Sequence, residues 1–198
     1  MAEAPARSSA LFAGIIFLIG VVGAGFTFWW LSARARERRW QNERSAMASL
    51  VMLSKAESDF RANDRDGNGI RDFWTGDVAG LYRLGLIERS VAEADTGPLA
   101  PLVSKPIPRN GCCFKALRRD RSETPPVVYA QATDKTSGNV HHEERFGFCA
   151  YPAEPGVTGN KIFIVNENNT VFRAAVGKVP IPQDWPADHE LKSFWTAD

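Results

Sequence analysis

The chain lacks the marks from which most enzymes are read. It has no CxxC pair, no HExxH, no GxSxG and no glycine-rich phosphate loop. Those absences remove a zinc-ligand pair, a metalloprotease helix, a hydrolase nucleophile elbow and a nucleotide cradle from consideration. Cysteine and histidine are scarce, with three of each among 198 residues. A net charge of +1 excludes a global field favouring nucleic acid, and no nucleic-acid-binding motif is present. Internal repeats, flexible linkers and low-complexity tracts are also missing, which predicts one globular domain with no internal division. The expectation is a protein that is not an enzyme, with no catalytic residues and no nucleic-acid partner.

Charge is absent from one long stretch. Between Arg7 and Arg34 no residue is charged, and the run is rich in Leu, Ile, Val, Phe and Gly. A bilayer core needs about 20 apolar helical residues, so residues 10–33 are expected to form a single transmembrane helix after a tail over 1–9. Trp29 and Trp30 stand at its end, where aromatic anchors sit at headgroup level. A cleaved signal peptide has a shorter apolar core and a small-residue cleavage site, which Trp-Trp-Leu does not supply. Gly14, Gly20, Gly23 and Gly25 allow close approach of another helix, or are the glycines common in membrane spans. Membrane lipid is therefore an expected partner, with residence in a bacterial inner membrane.

Arginine follows at 34, 36, 38 and 39, a flank suited to lipid phosphates. Trp40 to Ala62 contains neither Gly nor Pro, and Ala46, Leu50, Leu53, Ala56 and Phe60 recur at helical spacing. Residues 34–62 are thus expected to extend the helix, with one apolar face presented to a head over 63–198. In that head, Val78 to Leu86 is expected as a short helix, and Glu93 to Arg109, with four prolines, as loop. Strands are expected at Cys112–Leu117, Val127–Ala130, Arg145–Tyr151, Lys161–Val165 and Thr170–Ala174. Asn166-Glu-Asn-Asn169 marks a hairpin turn between the last two. A closing helix is expected near Asp188 to Phe194. The fold class is α+β, with a small antiparallel sheet.

The sharpest local motif is Asp64-Arg-Asp66-Gly-Asn68-Gly69-Ile70-Arg-Asp72. Oxygen donors at positions 1, 3, 5 and 9, Gly at 6 and a carbonyl at 7 follow an EF-hand calcium loop. The expected metal ligands are Asp64, Asp66, Asn68, Ile70 and Asp72, with calcium as the cofactor. Position 12 is Thr75 rather than the bidentate Glu, and the alternative is a polar turn held by Asx side chains. Adjacent Cys112 and Cys113 point to opposite faces of a strand, so only one of them can share a face with Cys149. All three are core residues, or one disulfide forms in an oxidising compartment. His141 and His142, beside Glu143 and Glu144, are expected in a solvated loop.

The order of these elements resembles type IV pilins and pseudopilins. Ser45 to Phe60 looks like the helix that precedes the globular head in pilin-like proteins. Asp64 to Trp74 resembles the aspartate-rich turn after that helix. Tyr151 to Gly159 with Lys161 to Asn166 looks like the paired strands of uncharacterised bacterial pilin-like domains. The prepilin processing motif is missing, since Gly25-Phe26-Thr27-Phe28 lies at the far end of the apolar run. The resemblance implies an extracytoplasmic head, which calcium and a disulfide favour and the arginines after the run oppose.

Together these readings predict a non-catalytic structural or accessory subunit. Its partners would be membrane-protein subunits of a secretion, bioenergetic or photosynthetic complex. The alternatives are a self-assembling pilin-like filament subunit and a calcium-binding ectodomain.

Overall fold

A computed structural model describes residues 7–97, 102–130, 132–133 and 140–197, with side chains at Gly23 and from Gly25 onward except at 132, 133 and 140. The elements in chain order are α1 (Arg7–Asn63), β1 (Phe73–Trp74), α2 (Ala79–Arg83), α3 (Arg89–Ala92), β2 (Cys112–Ala116), β3 (Arg119–Asp120), β4 (Val127–Val128), β5 (Ala132–Thr133), β6 (Val140–His142), β7 (Gly147–Pro152), β8 (Lys161–Asn166), β9 (Phe172–Ala175), α4 (Asp188–Phe194) and β10 (Thr196–Ala197). The class is α+β, with a long N-terminal helix and a five-stranded antiparallel sheet. The chain divides into two compact units, Met1–Arg38 and Arg39–Asp198.

The expected transmembrane helix is corrected by this structure. Among the described residues, no helix is long and apolar enough to cross a membrane. The described side chains, Gly25 to Ala33, belong to the end of the 26-residue uncharged run between Arg7 and Arg34. The arginines at 34, 36, 38 and 39 then end it. The side chains of residues 10–22 and of Ala24, which make up the rest of the expected span, lie outside the described residues. Single-pass anchoring and inner-membrane residence fall with the span.

In the second unit, α1 does what its periodicity predicts. Ala46, Leu50, Leu53, Ala56 and Phe60 are all buried, while Val51 between them is 41% exposed. Polar contacts fix this part of the helix along its length. Asn42 Nδ2 donates to the Thr158 carbonyl at 2.9 Å, and Asn110 Nδ2 to Ser45 Oγ at 2.7 Å. Buried Glu43 accepts the Asn160 N–H at 2.8 Å and pairs with Lys161 at 3.2 Å.

The main sheet runs β10-β9-β8-β7-β2, every pair antiparallel. Register places Phe114 beside Ala150 and Phe163, and Lys115 beside Cys149 and Ile164. Side chains alternate across a sheet, so these two rows belong to opposite faces. Phe114, Phe148, Ala150, Phe163 and Val165 join the apolar cluster with the α1 stripe. Cys149, Ile162, Ile164 and Ala174 join Leu117, Tyr129, Trp185 and Trp195 in a second cluster. Both faces are covered, which explains why these strands alternate so loosely in sequence.

The β8–β9 turn closes as its asparagines predict. Asn169 adopts φ +58, its N–H reaches the Asn166 carbonyl at 3.0 Å, and Ser54 of α1 hydrogen-bonds its side chain. Two smaller sheets, β1-β6-β5 and β3-β4, complete the unit.

Candidate functional site

The aspartate-rich turn follows α1, and its polar side chains serve different ends. Asp64, at φ +46, accepts the Asn68 N–H at 3.1 Å and the Gly69 N–H at 2.9 Å. Asn68 Oδ1 accepts the Ile70 N–H at 2.6 Å, and its Nδ2 donates to Asp66 at 3.0 Å. Both Asp64 oxygens and the Asn68 carbonyl thus hold the turn's own backbone, as Asx side chains do. The Ile70 side chain is 47% exposed. Asp66, Asn68 and Asp72 of the five expected ligands meet around a histidine, with Asn68 Nδ2 3.5 Å from His141 Nε2. His141 Nε2 lies 3.4 Å from Asp66 Oδ2, and its Nδ1 lies 3.2 Å from Asp72 Oδ2. Among the described residues, no group of three or more His, Cys, Asp or Glu side chains is arranged to hold a metal ion. Asp64, Asn68 and the Ile70 N–H are engaged in the turn's own hydrogen bonds.

His141 and His142 are buried, at 4% and 6% exposure, rather than solvated. The cause is β6, which pairs with β1 and sets His141 opposite Trp74. The His141 ring stacks on Phe60 and meets the edge of Trp74. His142 turns to other work: its Nδ1 accepts the N–H groups of Glu144 and Arg145, both at 3.0 Å. Burial, then Arg145, pushes the His142 pKa down.

Beneath this cluster, Glu57 of α1 is fully buried. Its Oε2 accepts the Trp74 N–H at 2.8 Å, and its Oε1 has no hydrogen-bond partner among the described residues. Burial drives its carboxyl well above the usual range, and the nearby Asp72 adds to this. Asp72 is itself raised by burial, with His141 opposing. The hub therefore joins α1, the turn, β1 and β6 through two perturbed carboxyls and one imidazole.

The cysteines are all free and buried. Cys112 lies in the cluster under α1 and Cys149 in the cluster on the other face. Burial pushes both thiols up to about 12, which suits core residues rather than nucleophiles.

The first unit offers a surface of another kind. On α1, Phe26, Phe28, Trp29, Trp30 and Leu31 are between 41% and 74% exposed. Phe26 and Trp29 touch at 6.1 Å between centroids, and the Arg34 guanidinium lies 3.7 Å over the Trp30 ring.

Residues 31–182, more than half of the chain, match the family described as "Protein of unknown function (DUF2950)", and the chain belongs to that family. No curated protein and no solved structure matches it.

Proposed function

We propose that this member of the DUF2950 family is a non-catalytic accessory subunit that joins a larger protein assembly through the aromatic segment of α1. The exposed run Phe26 to Leu31 carries the reading. Contiguous exposed apolar groups mark interaction surfaces, and Trp with Arg is the pairing most enriched at interface hot spots. Arg34, Arg36 and Arg38 are exposed directly beyond it. The partner is therefore an apolar surface with acidic side chains at its rim. A second copy in parallel register would set arginine against arginine, with Glu37 the single acidic residue between Phe26 and Arg39.

The cysteines, His141 and His142 are internal to the fold. The thiols are buried, His142 has spent Nδ1 on backbone donors, and His141 sits between two aspartates. The resemblance to pilin-like proteins agrees with a helix used for assembly.

The test places a photo-crosslinking residue at position 29 or 30 of the full chain in its native cell, with Val157 of the second unit as control. Adducts to one protein from 29 and 30, absent from 157 and lost in R34E/R36E/R38E, are expected. Adducts to the chain itself would replace this reading with self-assembly. Equal labelling from all three positions would remove it.

A further inference from the structure

A cavity of about 720 Å³ opens on the sheet face opposite α1. Lys115 and Tyr151 contribute to its lining, with Leu117, Val128 and Ile181 as apolar wall and Thr96 at one side. Lys115 sits on β2, across from Cys149 in register, and is only 6% exposed. A buried ammonium normally has a carboxylate or several acceptors. Among the described residues Lys115 has no ion-pair and no hydrogen-bond partner, and its Nζ lies 5.8 Å from the centre of the Tyr151 ring.

Burial disfavours the charge of Lys115; Cys149 favours it, Arg118 opposes it and Asp184 favours it more weakly, and Asp184 already holds Arg119 at 3.0 Å. Tyr151 is fixed in place by its hydroxyl, which lies 2.7 Å from Thr96 Oγ1. The geometry is that of a buried lysine, without a carboxylate partner among the described residues, on the wall of a chamber that Arg118 and Gln183 also line.

We propose that this cavity is a binding site for a small organic acid: one carboxylate paired with Lys115 and an apolar body against Leu117, Val128 and Ile181. The volume lies within the range of small-molecule sites and exceeds what a bare inorganic anion fills. The Lys115 ammonium matches one carboxylate, and Leu117, Val128 and Ile181 match a hydrocarbon body. This site belongs to the second unit.

The test is calorimetric titration of the full chain with octanoate, and with octanol as the uncharged probe of equal length. Octanoate is expected to bind the natural chain. Lys115→Met, similar in length and uncharged, is expected to bind octanoate about tenfold or more weakly, with octanol unchanged. Lys115→Arg is expected to keep octanoate binding. Without octanoate, Lys115→Met is expected to unfold at the same temperature as the natural chain or higher, because an unpaired buried charge has been removed. Should Lys115→Met fail to fold, the NMR signal of the Lys115 Cε in the natural chain decides: it is expected to shift with octanoate and not with octanol. Equal octanoate affinity in Lys115→Met, or no Lys115 shift with octanoate, would overturn the assignment.

Discussion

Glu57 shows how much rests on one side chain. A carboxyl raised by burial keeps its proton to higher pH in the folded chain than in the unfolded one. Between those two values the folded state binds more protons, so stability falls as pH rises from the ordinary carboxylate range, then levels above the folded value. Glu57→Gln can still accept the Trp74 N–H and cannot ionise. Thermal unfolding of this variant over about pH 5 to 8 is therefore expected to show a shallower decline than the natural chain. An unchanged slope would assign the effect to Asp72, Asp95 or Glu167, whose carboxyls burial also raises. Gly80 is the opposite case, a residue that matters for what it lacks. A Cβ there would stand 2.2 Å from the Trp74 ring, while Trp74 and the Gly80 N–H share Asp77 Oδ1. Gly80→Ala is expected to cost about 1–3 kcal/mol by overpacking, read from chemical denaturation. The sequence held a cue to Glu57, since it falls four residues after Leu53 and three before Phe60, on the buried stripe. It held none to His141, because the paired strands that bury it are two or three residues long and carry no period. The calcium pattern was legible in spacing alone, and spacing does not say whether an aspartate faces an ion or its own backbone.

Among the elements, α1 was the most readable. A stripe repeating every three or four residues can only be satisfied by a helix with one covered face, and all five stripe residues are buried. Leu53→Ala is expected to cost about 2–5 kcal/mol, as buried leucines do. Val51→Ala, two residues away and outward, is expected to stay within about 0.5 kcal/mol. Urea unfolding of both variants checks the pair, and similar losses would mean that the helix is covered on both sides. The strands β2, β7, β8 and β9, helix α4 and the asparagine turn were legible too, from apolar runs bounded by turn residues. The two-residue strands were not, since they exist only because a partner strand lies beside them. The expected span failed at this scale: among the described residues no helix is long and apolar enough to cross a membrane, and arginines follow directly after Ala33.

For the molecule as a whole, the division near Arg38 gives the clearest expectation. The buried stripe and both apolar clusters lie beyond it. A chain of residues 39–198 is expected to unfold cooperatively within about 3 °C of the full chain, the shift that roughly 1 kcal/mol produces in a domain this size. Circular dichroism melting measures it, and a large drop would show that the first 38 residues stabilise the head. The antiparallel sheet was legible in sequence, but not the way its two faces divide the core, which depends on register between strands tens of residues apart.

That division gives the cysteines a use that packing alone does not suggest. Cys112 is sealed beneath the long helix and Cys149 beneath the C-terminal covering, on opposite sides of one sheet. Each thiol becomes reachable only when its own side lifts. The rates at which the two are alkylated are therefore two separate clocks in the natural sequence, one for release of the helix and one for release of the C-terminal layer. Whether they tick together tells whether the head opens as one body or peels from one side first.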